Sequence, residues 1–142
     1  LKQIQLNNGL EPFGLGTGAA VADIDNDGIL ELLVSHGESG QQPLSLYKAN
    51  IDSSFRFVRI LPKTAFNAPA RGVTVILNTN MRNHAKTIDA GSGYLCQMEP
   101  VAHYGLRKDE KVKSVTIKWT DGSSDNFKIN QLNKTYVFSK GI

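Results

Sequence analysis

Asp23-Ile24-Asp25-Asn26-Asp27-Gly28-Ile29-Leu30-Glu31 crowds four carboxylates into nine residues. Side chains of like charge at that density repel one another unless a cation lies among them. Asp23, Asp25 and Asp27 fall at positions 1, 3 and 5 of a loop, and Gly28 at position 6 permits a sharp turn. A hard cation such as Ca²⁺ takes about six to eight oxygen ligands, and alternate aspartates supply several from one short loop. The reading is a Ca²⁺ loop in which Asp23, Asp25, Asp27 and Glu31 coordinate through side chains and Ile29 through its carbonyl. The competing reading is an acidic turn without metal, since Asp, Asn and Gly are ordinary turn residues.

The flanks narrow the choice. An EF-hand places its bidentate Glu at about position 12 of the loop, where this chain has Val34, and the last carboxylate is Glu31 at position 9. Ala19-Ala20-Val21-Ala22 precedes the loop, and Leu30-Glu31-Leu32-Leu33-Val34 follows it. Neither stretch has helical spacing, so the loop reads as the tip of a β-hairpin.

Working outward, the chain of 142 residues is 40% hydrophobic and 20% charged, which suits one ordinary domain or two small ones. No apolar run reaches the length of a membrane span. No charged-then-apolar signal segment opens the chain, and its start at Leu1 suggests a piece of a longer protein. Cys96 is the sole cysteine and leaves the redox compartment open. The net charge of +3 conceals an asymmetry: residues 1–52 carry two lysines against seven acids, net −5, and residues 53–142 carry fourteen Lys/Arg against six acids, net +8. The basic part could attract a sulfated glycan or an acidic protein surface. Its charges are not interleaved with stacking aromatics, which argues against a single-strand nucleic-acid groove.

The alternation beginning at Ile4 and Leu6 is weak. Gly14-Leu15-Gly16-Thr17-Gly18 lacks the strand-then-helix setting of a nucleotide loop, so its glycines read as a tight approach into a strand. Strands are expected at Ala19–Asp23, Leu30–Ser35, Leu44–Ala49 and Phe55–Leu61, with a turn at 36–40 and a break at 50–52. Four such strands make one antiparallel blade, although Phe55–Leu61 could instead open the second domain. After a loop at 62–69, strands are expected at Gly72–Leu77, His84–Asp89, Tyr94–Gln97, Val112–Thr120, Asn126–Ile129 and Thr135–Phe138, with an unassigned stretch around Pro100 to Leu106 and a charged turn at Lys108 to Lys111. Asp121-Gly122 between alternating runs is a strong hairpin signal.

Other constellations carry little chemistry. His36, His84 and His103 are too scattered for zinc, and Cys96 has no partner at a metal spacing. Gly91-Ser92-Gly93 is a bend and not a nucleophile elbow. Cys96, His103 and Trp119 read as core residues, and a hydrolase built on His103 has little to rest on. Asn133-Lys134-Thr135 is a glycosylation sequon, meaningful in a secreted protein.

Two blocks resemble known families. Gly16 to Gly28 with Glu31-Leu32 resembles the FG-GAP/VCBS repeat, the calcium-loop blade of integrin-type propellers. Ala70-Arg71-Gly72-Val73, then Asp89 to Gln97, then His103-Tyr104-Gly105-Leu106, is similar to the ASPIC/UnbV domain. Their order, with Ser35 to Ser39 and Gln42 to Ser45, is similar to the cartilage acidic protein 1 family. This chain departs from that family in being basic and in ending the loop with Glu31 where Asp is commoner.

Helical periodicity is almost absent, so the chain reads as all-β, and the resemblance implies one antiparallel propeller-type blade with a calcium loop (residues 1–54) packed on a β-sandwich or barrel-like ASPIC/UnbV domain (55–142). It implies a secreted, glycosylated, extracellular matrix or cell-surface module that binds proteins and is not an enzyme. The metal residues would be Asp23, Asp25, Asp27, Ile29 and Glu31, the cofactor Ca²⁺, and the glycosylated residue Asn133. A glycosaminoglycan-binding module is the alternative, using Lys108, Lys111 and Lys113 of the basic part. Nucleic acid and membrane insertion are not expected.

Overall fold

A computed structural model describes residues 16–37, 40, 42–50, 55–94 and 96–141. The described residues form ten strands and no helix, arranged as three open sheets. No helix among them is long and apolar enough to cross a membrane. The expected alternation at Ile4 and Leu6, and the expected features at Gly14, Leu15, Glu38, Ser39, Ile51 and Asp52, lie outside the described residues. The chain divides into two compact units, one of Leu1–Asp25, Ile29–Asn50 and Gly91–Met98 and the other of Asn26–Gly28, Ile51–Ala90 and Glu99–Ile142.

In the first unit β1 (Gly16–Ala22), β2 (Glu31–His36) and β3 (Ser45–Lys48) form an antiparallel meander in the order β1-β2-β3. Ala22 pairs with Glu31, and Glu31 with Lys48, so the residues that close the acidic loop face a lysine on the third strand. Gly18 serves the close approach anticipated for it: a Cβ there would stand 2.9 Å from the Tyr94 carbonyl oxygen.

The second unit holds two sheets, β10-β4-β7 and β6-β5-β8-β9. Their strands are β4 (Arg56–Lys63), β5 (Thr74–Thr79), β6 (Asn83–Thr87), β7 (Ala102–Leu106), β8 (Val112–Lys118), β9 (Ser124–Phe127) and β10 (Lys134–Ser139). Val58 and Ile60 of one sheet share a core with Val75, Leu77, Val115 and Ile117 of the other. Burial of these branched side chains contributes on the order of 2 kcal/mol each. Tyr104 sits in that core and donates its hydroxyl hydrogen to the Val75 carbonyl at 2.8 Å, and burial pushes its phenol up from the ordinary value. Trp119 is also core, its indole N–H satisfied by Asp125 Oδ2 at 2.7 Å.

Two expectations need correction. Phe55–Leu61 does not add a fourth strand to the first sheet: β4 pairs antiparallel with β7 and parallel with β10. Residues 57 to 60 of β4 are all buried, which requires cover on both faces: Val58 and Ile60 face the core shared with the other sheet, and Phe57 and Arg59 on the opposite face lie against Gly28 and Asn26. Tyr94 and residues 96 to 98 form no strand either; Tyr94 is in a turn, and Leu95 lies outside the described residues. The Asp121-Gly122 hairpin is present, with Gly122 at φ 87° and Trp119 N–H donating to the Ser123 carbonyl.

Candidate metal site

The loop between β1 and β2 brings together one carboxylate oxygen each from Asp23, Asp25 and Asp27, all within 4.8 Å of one another. Asp23 is buried at 4% exposure, whereas Asp25 and Asp27 are exposed. The turn that collects them depends on two left-handed residues, Asn26 at φ 62° and Gly28 at φ 87°. Asn tolerates that region and Gly adopts it without steric penalty.

Within the second unit, strand β4 holds the tip of the loop. Arg59, 3% exposed, donates from Nη1 to Asn26 Oδ1 at 3.0 Å, and its Nη2 reaches Glu99 Oε1 and Oε2 at 2.8 and 2.6 Å. The Phe57 ring lies where a Gly28 side chain would be: a Cβ there would stand 2.1 Å from ring carbons. Arg59 carries no sequence signal of this role, because it occupies an ordinary alternation in Arg56-Phe57-Val58-Arg59-Ile60.

Glu31 is 4% exposed: Oε2 accepts the Ile24 N–H at 2.8 Å, and Oε1 stands in an ion pair 3.2 Å from Lys48 Nζ. Lys48 Nζ also donates to Asp25 Oδ2 at 2.5 Å. Glu31 therefore closes the loop from its far end, and the group of three that draws within 4.8 Å consists of the aspartates. Ile29 is half-buried at the exit of the turn. Three carboxylates and no sulfur or imidazole in one loop suit a hard, oxygen-seeking cation.

A second charged cluster, missed by sequence reasoning, lies in the second unit. Glu110 sits in the run Lys108 to Lys111, which reads as a solvated turn, yet its side chain is 0% exposed. Oε1 accepts from Thr79 Oγ1 at 2.9 Å and lies 2.6 Å from His84 Nε2, and Oε2 accepts the Arg107 N–H at 3.3 Å. Burial pushes the carboxyl up, but the bonds from His84, Arg107 and Thr79, with the charge on His84, outweigh burial and bring it down to about 2. An ionised Glu110 cannot donate, so His84 Nε2 carries the hydrogen. Arg82 Nε, 3.1 Å from that nitrogen and 3.5 Å from Glu110 Oε1, then donates to the carboxylate.

The remaining candidates take structural places. His103 stacks on Phe57 with ring centroids 5.8 Å apart. Cys96 Sγ donates to the Ala19 carbonyl at 3.0 Å within the first unit. Asn133 is exposed at φ 56°, and its Oδ1 accepts the Phe57 N–H at 2.9 Å while its own N–H donates to the Phe57 carbonyl at 2.8 Å. Lys108, Lys111 and Lys113 are exposed.

Fold and loop together define an all-β protein with an acidic, oxygen-donor hairpin loop and a C-terminal pair of sheets around one core. Residues 63–142 match the family model described as ASPIC and UnbV, and the chain belongs to that family. It is 49% identical over 123 residues to cartilage acidic protein 1 of Mus musculus and of Homo sapiens, and 48% identical to that of Xenopus tropicalis. Those alignments cover 86% of this chain and 18 to 19% of the relatives, so the chain spans less than a fifth of the length of the curated relatives it matches.

Proposed function

We propose that this chain is a calcium-binding interaction module of the extracellular matrix or cell surface, part of a larger secreted propeller protein of FG-GAP/VCBS type. The carrying observation is the convergence of Asp23, Asp25 and Asp27 oxygens within 4.8 Å on a turn built from two left-handed residues. Asp23, Asp25 and Asp27 would hold the ion, with Glu31 and the Ile29 carbonyl completing its oxygens. Ca²⁺ would neutralise the loop and stiffen the hairpin. The family relatives' name, cartilage acidic protein, supports a matrix setting, and the β surfaces would engage protein partners without catalysis. In a secreted protein Asn133 would carry its glycan on Nδ2, the amide nitrogen that N-linked glycosylation modifies, while Oδ1 accepts the Phe57 N–H.

Calcium is expected to raise the melting temperature of the chain relative to excess chelator. At about a hundredfold excess over Kd the gain is about 2.7 kcal/mol, because the ion binds only the native state. Asp27→Asn is expected to abolish the difference. Identical melting of the unsubstituted chain in Ca²⁺ and chelator would sink the calcium reading.

A second reading, a sulfated-glycan surface, rests on a different observation. The Arg56 guanidinium donates to the carbonyls of Arg107, Lys108 and Glu110, which fastens the β7–β8 connection. Arg107, Lys108, Lys111 and Lys113 are exposed along it. Charge reversal of Lys108, Lys111 and Lys113 together should bring elution from heparin to markedly lower salt, as expected when anion contacts are lost. Unchanged retention would exclude this surface.

A further inference from the structure

We propose that Lys48 is the acidic loop's own counter-cation, which holds Asp25 and Glu31 in place when no metal is bound and lowers the calcium affinity by competing for them. The inference rests on the calcium reading and adds its regulation. Lys48 stands directly across from Glu31 in the β2–β3 register, so its position is set by strand pairing. Its Nζ reaches Asp25 Oδ2 at 2.5 Å and Glu31 Oε1 at 3.2 Å. Glu31 is 4% exposed, and a buried carboxylate needs a compensating cation or donor. The lysine side chain is itself 38% exposed, which leaves its flexible stem a route to solvent.

The two cations therefore oppose each other at Asp25, which belongs to the converging aspartates and pairs with Lys48, and at Glu31, the further carboxylate proposed for the ion. When Lys48 engages Asp25 and Glu31, those carboxylates offer less negative charge to an incoming ion. When Ca²⁺ enters, the ammonium is repelled and must withdraw or tolerate the divalent charge. Calcium affinity in oxygen-ligand loops follows the ligand charge count, and an adjacent lysine reduces that count by one. Lys48 would accordingly shift the loop toward the weak affinities suited to calcium-rich surroundings and spare the metal-free loop from its own repulsion.

The test compares the 142-residue chain with Lys48→Met and Lys48→Gln, using calcium titration calorimetry and melting in chelator and in saturating Ca²⁺. Both variants should bind Ca²⁺ about tenfold more tightly. Both should also melt lower than the unsubstituted chain in chelator and recover that deficit in saturating Ca²⁺. A purely structural lysine would lower melting in both conditions and leave affinity equal or weaker, which overturns the proposal while the calcium reading stands. If the unsubstituted chain neither takes up heat-detectable Ca²⁺ nor changes its melting, the calcium reading itself has failed. A variant unfolded in chelator that folds on Ca²⁺ addition supports the proposal, and one that stays unfolded in Ca²⁺ counts against it.

Discussion

Replacing Glu110 by alanine is expected to destabilise the chain by about 4 kcal/mol, the range for breaking a buried, hydrogen-bonded charge cluster. The carboxylate is fully buried and joins Thr79, His84, Arg82 and the Arg107 N–H. Its removal leaves a cavity and strands those donors at once. Urea unfolding would read the loss, and a change under about 1 kcal/mol would show that the cluster adds little. The sign of the pH dependence follows from the lowered carboxyl. Because the folded value, about 2, lies below the ordinary 4.5, the ionised form stabilises the fold above 4.5, and that contribution is lost as pH falls through about 2. Glu110→Gln resembles the protonated side chain. Its deficit should therefore be constant above pH 4.5 and shrink between 4.5 and about 2.

Gly28→Ala should cost about 3 kcal/mol, from two separable sources. An L-residue held in the left-handed region costs roughly 1–2 kcal/mol, and Gly28 stands at φ 87°. The added methyl would also lie 2.1 Å from the Phe57 ring, and the ring is buried at 6% exposure with little room to retreat. Overpacking of that kind costs about 1–3 kcal/mol. A Gly28→Ala, Phe57→Ala pair separates the two: the alanine at Gly28 should be milder when Phe57 is already truncated, leaving the backbone cost. Equal penalties in both backgrounds would show that the ring does not press on the loop. The same substitution should weaken the proposed calcium response, since Gly28 forms the turn that gathers the aspartates.

Most strands and the candidate loop were legible in the sequence, and their partners were not. The acidic spacing from Asp23 to Asp27, the flanking strands and the Asp121-Gly122 hairpin follow from nearest-neighbour chemistry: repulsion between alternate carboxylates, alternation of side chains, and residues suited to positive φ. The place of Phe55–Leu61 could not be read that way, because alternation sets which face a residue takes and says nothing about which strand lies beside it. Arg59 and Glu110 sit in stretches with the pattern of solvated charge, and nothing local marks them as buried.

The sequence by itself determined an all-β chain with an oxygen-rich turn between its first two described strands, since those features depend on residues within a few positions of each other. Tertiary structure alone decided that β4 lies between β7 and β10, that Glu110 is enclosed by residues 26 to 31 positions away in the chain, and that Lys48 comes back on β3 to meet Asp25 and Glu31. The reason is physical. A buried charge persists only where distant parts of the chain join local groups to satisfy it, and no short stretch of sequence contains the charge together with all of its partners.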